Sequence, residues 1–166
     1  MSKAVMLSIR PKWCEKIING DKTIEVRKTR PKLDTPFKCY IYCTQSGVAL
    51  GAWGKHGKVI GEFICDRIYE LAPLNHAPDD VERKACLTRE EIVKYLKGIG
   101  YGWHIVNLKI YDTPRELSEF RRACPNSWYC ESCAMHWENN GTCGNESLQI
   151  KRAPQSWCYV EAMEGK

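Results

Sequence analysis

The sequence predicts an α+β fold that is mainly β: a small closed or half-closed barrel of five or six strands with short flanking helices. Short segments of alternating apolar residues recur along the chain, and few segments have helical periodicity. Those helices are too few to cover both faces of a doubly wound sheet. The length of 166 residues suits a single domain over 1–166, and within it we expect a Cys-rich insertion at 121–148.

The first predicted elements are a strand at Ala4–Ile9 and an amphipathic helix after it. Pro11 suits the first position of the helix, and Gly20 suits its end. The apolar residues of this helix fall three and four apart on one face: Trp13, Cys14, Ile17 and Ile18. We therefore expect Trp13 to pack in the core.

A short charged strand follows Gly20. Alternation places Thr23, Glu25 and Arg27 on one face and the apolar residues between them on the other. If that face lines a groove, the groove holds a fixed carboxylate and a guanidinium, with the Lys22 ammonium at its mouth. A solvent-facing ion pair on a hairpin is the alternative, and the pattern alone leaves both open.

Further strands are predicted at Phe37–Thr44, Lys58–Leu71, Tyr101–Tyr111 and Trp157–Val160. In the first of these, Cys39, Ile41 and Cys43 share one face and the tyrosines between them share the other. Gly61 marks a bulge in the second.

The segments between these strands predict one loop and two helices. Residues 72–85 are expected to be a connecting loop. Thr88 and Glu91 form a capping box for a helix to about Lys97, and Thr113–Glu116 predicts a second, shorter helix start. The residues expected to be buried on these two helices are Ile92, Val93, Leu96, Leu117 and Phe120.

Composition excludes a membrane protein and a disordered chain. Hydrophobic residues make up 43% and charged residues 27%, as in ordinary soluble domains. No apolar run approaches the length that spans a bilayer, and residues 1–7 lack a leader pattern. We expect a cytoplasmic protein.

The net charge of +5 is concentrated near the N-terminus. The first 32 residues carry nine basic and three acidic side chains, a net charge of +6, so the rest of the chain is near neutral at −1. A basic segment of this kind favours a polyanionic partner, above all nucleic acid. Solubility alone is the alternative explanation.

Ten cysteines need an explanation in a reducing compartment. We expect six isolated ones to be small core residues: Cys14, Cys39, Cys43, Cys65, Cys86 and Cys158. The other four form the pattern Cys124-x5-Cys130-x2-Cys133-x9-Cys143. This clustering predicts a structural Zn²⁺ site with four thiolate ligands, in which His136 is able to replace one cysteine. No organic cofactor is expected.

The chain resembles the ASCH domain family within the PUA-like β-barrels. The segment from Trp13 to Gly20 is followed by the family's G-x-K-x-x-E-x-R pattern, formed by Gly20, Lys22, Glu25 and Arg27. Two later segments, Val59–Tyr69 and Trp103–Leu108, are also similar to the family's strands. The resemblance covers residues 1–120 and the last strand.

The resemblance implies a cleft, lined by the G-x-K-x-x-E-x-R strand, that binds RNA or a nucleobase. Arginine and lysine suit phosphate, glutamate suits an exocyclic amine, and Trp103 suits base stacking, with barrel packing as its alternative role. The candidate nucleic-acid-binding residues are Arg10, Lys12, Lys22, Glu25, Arg27, Lys28, Arg30 and Trp103.

Two other functions remain open. Some small relatives are amidohydrolases on modified cytidine that use a lysine, a threonine and a glutamate, and ribonuclease activity has been proposed in the family. Lys22 matches that lysine, but Glu25 occupies the threonine position, and Glu82 is only a loose match to the glutamate. An enzyme would use Lys22 and Glu25 as its catalytic acid–base pair.

The third possibility is a protein-interaction module that docks a partner through the Cys-rich insertion. Binding of RNA, a nucleotide or a nucleoside is the leading hypothesis.

Overall fold

Six strands form one mixed sheet within the part of the chain that the computed structural model describes, residues 3–45, 56–71, 77–124, 133–134 and 143–163. The strands are β1 (Lys3–Ile9), β2 (Ile24–Arg27), β3 (Phe37–Cys43), β4 (Lys58–Glu70), β5 (Tyr101–Arg115) and β6 (Trp157–Glu161). The helices are α1 (Pro11–Ile18), α2 (Val81–Ala85) and α3 (Arg89–Leu96), with single 3₁₀ turns at Leu117–Glu119 and Glu146–Leu148.

The strand order is β2-β5-β4-β3-β1-β6, which makes β2 and β6 the two edges of a half-barrel. β1 and β3 are parallel, and the other neighbouring strands are antiparallel. The pairing shifts at Gly61 on β4, where a Cβ atom would lie 2.5 Å from the carbonyl oxygen of Lys109. The predicted bulge is therefore confirmed, and glycine is required there because the β5 backbone comes so close.

The two faces of the sheet pack into separate clusters. Cys39, Ile41 and Cys43 of β3 face the main core, whereas Tyr40 and Tyr42 face a second cluster around Phe120 and Val160. The predicted alternation of β3 is confirmed. A third cluster joins Ile24 and Val26 of β2 to helices α2 and α3. β2 therefore has one apolar side against the helices and one polar side that is free to line a site.

Side chains join the two edges of the half-barrel along a line that we call the seam. The indole Nε1 of Trp157 donates to Thr29 Oγ1 at 2.9 Å, and the amide of Lys32 donates to the Tyr159 hydroxyl at 2.7 Å. Arg27 crosses the same gap to reach Ser156. Contacts between residues about 130 positions apart thus hold β2 and the segment after it against β6.

Three predictions about the helices are wrong. Residues 81–85, expected to be loop, form α2, whose Val81 and Ala85 are buried against β2. Val93 is 54% exposed, because only Ile92 and Leu96 of α3 face the core. The short helix predicted to start at Thr113–Glu116 is only a 3₁₀ turn capped by Glu116, because β5 continues through Arg115.

None of the described helices is both long and apolar enough to cross a membrane.

Candidate ligand cleft

A cleft of about 600 Å³ opens where the end of β1, helix α1, strand β2 and helix α3 meet. Its aromatic walls are Trp13 and Tyr95. Its charged residues are Arg10, Lys22, Glu25, Arg27 and Glu91. The polar residues Ser8, Thr44 and Gln155 complete the lining together with a few apolar ones.

The polar side of β2 faces this cleft. Gly20 adopts a φ of +80°, a conformation that favours glycine, and so turns the chain from α1 towards β2. The Lys22 amide then donates to Lys16 O at 3.0 Å, and the Thr23 amide donates to Lys84 O at 2.8 Å. These bonds fix the segment that carries the three charged side chains.

Lys22, Glu25 and Arg27 converge and are almost fully buried, with exposures of 3%, 7% and 7%. Lys22 Nζ lies 3.4 Å from Glu25 Oε2, and Arg27 Nε donates to Glu25 Oε1 at 3.0 Å. The groove interpretation of this strand therefore fits the structure, and the solvent-facing ion pair does not. Glu25 thus accepts a hydrogen bond from Arg27 and lies within ion-pair distance of both cations.

Arg27 is held from three directions. Its Nη1 lies 3.2 Å from both the carbonyl and the hydroxyl oxygen of Ser156, and its Nη2 donates to Ser8 O at 2.8 Å. Nη2 is also 2.9 Å from Glu25 Oε1. All three guanidinium nitrogens thus have protein partners.

Three lysines lie against the aromatic rings of the cleft. Lys12 Nζ is 4.8 Å from the centre of the Trp13 ring, and Lys28 Nζ is 5.1 Å from that of Tyr95. Inside the cleft, Lys22 Nζ is 5.0 Å from the Trp13 ring. Trp13 is half-buried and borders both the core and the cleft, so its prediction as a core residue is only half right.

Trp103 lies in the core rather than on the cleft surface. It pairs with Glu25 across β5 and β2, but it is fully buried, with its ring centre 5.8 Å from that of Phe37 and 6.0 Å from that of Trp157. A ring without exposed surface has no face for a base to stack on. The prediction of Trp103 as a stacking residue is therefore corrected in favour of barrel packing.

The other predicted residues are divided between the cleft and its surroundings. Arg10 lines the cleft and is exposed. Lys12 and Lys28 are exposed beside it, next to its aromatic walls. Arg30 is exposed and is outside the lining. Glu82 is also outside it, and its Oε1 accepts the Arg89 amide at 2.5 Å.

The contribution of α3 to the cleft was not predicted from the sequence. Glu91 and Tyr95 lie one helical turn apart and both line the cleft, and Ser8 and Ser156 hold Arg27. The i, i+4 spacing of Glu91 and Tyr95 was a usable signal for a shared helix face. The positions of the two serines depend on contacts between distant segments, for which the sequence carries no local signal.

Two thiols lie next to the cleft lining but are closed to it. Cys14 and Cys43, neighbours of Trp13 and Thr44, have no exposed surface. A hydrogen bond to Cys43, together with burial, raises the pKa of the Cys14 thiol, and the same bond lowers the pKa of Cys43. Without access to the cleft, neither thiol is placed to act as a nucleophile there.

The Cys-rich segment is described only in part, because Cys130 and His136 lie outside the described residues. Within the described parts of the chain, no three His, Cys, Asp or Glu side chains are grouped so as to hold a metal. Cys124, Cys133 and Cys143 are half-buried free thiols. Arg121 contacts Cys143, and its Nη2 lies 3.1 Å from the Cys143 sulfur.

The fold and the cleft define the class of the protein: a mainly β half-barrel with a buried Lys–Glu–Arg cluster at the base of a polar and aromatic cleft. No protein-family model matches the sequence. No curated protein matches it either.

Solved structures show what the chain is similar to. The ASCH protein from Zymomonas mobilis has a TM-score of 0.59 at 16% identity, over 95% of this chain and 87% of that chain. A Tyr-to-Phe mutant of that protein has a TM-score of 0.59 at 16% identity, over 96% of this chain and 91% of that chain. A Ser-to-Ala mutant has a TM-score of 0.60 at 15% identity, over 95% of this chain and 88% of that chain. The chain therefore has the ASCH fold across nearly its whole length.

Proposed function

We propose that the protein is an ASCH domain protein that binds RNA, or a nucleotide or nucleoside, in this cleft. The observation that supports this most is the convergence of Lys22, Glu25 and Arg27 in a cleft walled by Trp13 and Tyr95. Unpaired bases are bound by aromatic stacking combined with hydrogen bonds to the base edges, and the cleft offers both.

Electrostatics supports the same ligand class. The charged residues of the lining carry three positive and two negative charges, and the exposed Lys12 and Lys28 add two more positive charges beside it. A net positive opening attracts the phosphates of RNA, and binding then releases counterions.

The experiment is a titration of fluorescently labelled short single-stranded RNA of mixed sequence, in parallel with free nucleotides and nucleosides. We expect binding that weakens as salt rises from about 50 to about 200 mM, because phosphate contacts displace counterions. Lys22→Ala is expected to weaken binding at least tenfold. Lys38→Ala is the matched control, since Lys38 also pairs with a glutamate, at 3.3 Å from Glu62, but lies outside the cleft. If no RNA, nucleotide or nucleoside binds, the proposal is wrong.

A small enzyme acting on RNA or a modified nucleoside is the second candidate function. The distance of 3.4 Å between Lys22 Nζ and Glu25 Oε2, in a pair with little exposed surface, favours it, because such a pair is suited to proton transfer. The test is turnover of an RNA and acylated-cytidine panel, abolished by Lys22→Ala. Binding without turnover across the panel would reject the enzyme and leave the binding function.

We further propose a structural zinc ion bound by Cys124, Cys130, Cys133 and Cys143. Four cysteines within 20 residues support it, as does the Arg121 Nη2 next to the Cys143 sulfur, because N–H donors stabilise metal-bound thiolates. About one equivalent of zinc is expected in purified protein, with loss of metal in Cys130→Ser. Well under one equivalent, with an unchanged fold in Cys130→Ser, would refute this site. A protein partner docked by this segment is the third candidate function.

A further inference from the structure

We propose that Arg27 is a positioning residue that fixes Glu25 for base recognition and does not itself contact the ligand's phosphates. This inference rests on the proposed nucleic-acid-binding function and deepens it. It differs from what the side chain alone suggests, because an arginine in a nucleic-acid cleft is ordinarily a phosphate contact.

Each guanidinium nitrogen of Arg27 already has a protein partner. Nε and Nη2 lie 3.0 and 2.9 Å from Glu25 Oε1, Nη1 lies 3.2 Å from both Ser156 oxygens, and Nη2 also donates to Ser8 O. Four of these contacts are hydrogen bonds and the fifth, from Nη2 to Glu25 Oε1, is an ion-pair contact, so every guanidinium nitrogen is engaged by the protein. A phosphate would have to displace protein partners from a side chain that is only 8% exposed.

The partners of Arg27 form one rigid junction at the seam. The Ser8 amide donates to Ser156 O at 2.9 Å, and the Ser8 hydroxyl donates to Pro154 O at 2.5 Å. The end of β1 and the segment before β6 are thus joined independently of Arg27. Arg27 transmits this fixed geometry to Glu25.

The hydrogen-bonding capacity that remains open belongs to Lys22 and Glu25. Lys22 Nζ donates to Ala85 O at 2.7 Å and faces Glu25 Oε2 at 3.4 Å, but an ammonium has three donors. Glu25 has Oε1 occupied by Arg27, while Oε2 keeps lone pairs. The cleft therefore offers a donor and an acceptor side by side, and the donor, Lys22 Nζ, lies 5.0 Å from the centre of the Trp13 ring.

A donor beside an acceptor matches the edge of an unpaired nucleobase with an exocyclic amine next to a ring nitrogen. The amine would donate to Glu25 Oε2, and the ring nitrogen would accept from Lys22 Nζ. The phosphates would then be contacted by the exposed lysines beside the cleft, of which Lys28 lies against Tyr95. The chemical class recognised in the cleft is thus the base, and the backbone is recognised outside it.

The first test is the salt dependence of binding to labelled single-stranded RNA, since each phosphate contact adds about −0.7 to the slope of log K against log salt. Arg27→Lys is expected to weaken binding at least tenfold with the slope unchanged, because a lysine keeps the charge but loses the planar fork. Lys28→Ala is expected to reduce the magnitude of the slope by about 0.7, the contribution of one phosphate contact. An Arg27→Lys variant with wild-type affinity, or an Arg27→Gln variant with a reduced slope, would overturn the inference.

The second test separates positioning from general stability. Ser156→Ala removes a single partner of Arg27 Nη1 and is expected to weaken binding without changing the slope. In a double-mutant cycle, Arg27→Gln and Glu25→Gln should be strongly non-additive in binding free energy, because each disrupts the same carboxylate. Additive effects would contradict the positioning role. Far-UV circular dichroism shows whether each variant is folded, and Ser156→Ala carries the test if the Arg27 variants are not.

An abasic RNA of the same length tests the recognition of the base. We expect it to bind at least tenfold more weakly than the intact RNA, whereas equal affinity would overturn base recognition. The intact RNA could bind, with Lys22→Ala weakening that binding, while the Arg27 and Ser156 variants and the abasic RNA do not behave as expected. In that case the binding function stands and only the inference about Arg27 is lost. If wild-type protein binds no nucleic acid, both are wrong.

Discussion

Glu25 shows how one residue links stability and function in this protein. Its carboxylate is shared between Lys22 and Arg27 in a site with very little solvent. Ion pairs buried in this way contribute little net stability when complete, but removing one partner leaves the others uncompensated. The cluster is therefore costly to disturb, which is typical of a site kept for its chemistry.

Glu25→Ala tests that argument. We expect the free energy of unfolding to fall by about 3–5 kcal/mol, because two cations then remain buried without a carboxylate. Urea denaturation measures the change. The exposed Glu70 on β4 provides the control, since Glu70→Ala should stay within about 0.5 kcal/mol of wild type. A change of that small size at Glu25 would mean that the cluster is not electrostatically coupled.

The environment of Glu62, on the face of the sheet away from the cleft, predicts that the stability of the fold depends on pH. Burial raises the pKa of Glu62, but hydrogen bonds from Tyr111 and Lys38 outweigh burial and hold that pKa below its usual value. A carboxyl with a lowered folded-state pKa stabilises the fold above about pH 4.5, and this contribution is lost as the pH falls through the folded-state value.

Tyr111→Phe removes the hydrogen bond of 2.6 Å to Glu62 Oε2. We expect the variant to be less stable by about 1.5–3 kcal/mol at pH 7, the range for a hydrogen bond to a charged group. The difference from wild type should be smaller at an acidic pH, because protonation of Glu62 removes the charge that strengthens this hydrogen bond. Thermal unfolding at both pH values measures it, and a difference independent of pH would exclude Glu62 as the cause.

At the scale of elements, helix α3 is the part of the cleft whose boundaries follow from local sequence. The Glu91 amide donates to Thr88 Oγ1 at 3.1 Å, and the Thr88 amide donates to Glu91 Oε2 at 2.8 Å, so the predicted capping box is confirmed. Helix α2 was missed because it has only five residues and no side-chain cap at Asp80. Local patterns thus predict elements with strong caps and not elements stabilised by packing.

Removing the cap of α3 gives the prediction at this scale. Thr88→Ala should reduce the free energy of unfolding by about 1 kcal/mol, because the first turn loses a partner for one of its amides. Chemical denaturation measures the loss. Thr88→Ser keeps the hydroxyl and is expected to restore the stability, so equal losses in the two variants would show that the cap contributes nothing.

For the whole molecule, the sequence predicted much of the fold but not all of the site. Strand positions and the faces of β3 follow from period-two alternation, which is a local property. The positions of Trp13 and Trp103 depend instead on how α1 and β5 pack in the fold. Trp13 lies between Lys12 and Cys14 and Trp103 between Gly102 and His104, so the local sequence of each mixes a polar neighbour with a small one. Their roles were therefore not separable before the structure, and the seam contacts of Ser156 were not accessible at all.

Cysteine labelling reports on the whole core. Burial raises the pKa of Cys39 and raises that of Cys65 to about 12, and both thiols are inaccessible. In folded protein we expect these two, with Cys14 and Cys43, to resist iodoacetamide, while the half-buried Cys86 reacts. Mass spectrometry after a short pulse, with a urea-unfolded sample as control, identifies the labelled sites. Rapid labelling of Cys39 in the folded protein would contradict the packing of β3.

The seam also has a consequence for the order of folding. Arg27 binds Ser8, 19 positions before it, and Ser156, 129 positions after it, so closing the loops that bring these segments together costs chain entropy. During synthesis, residues 8–27 leave the ribosome long before residue 156. Glu25 therefore acquires its final orientation only after β6 has docked. A nascent chain that has not reached β6 should form most of the sheet and still be unable to capture the ligand.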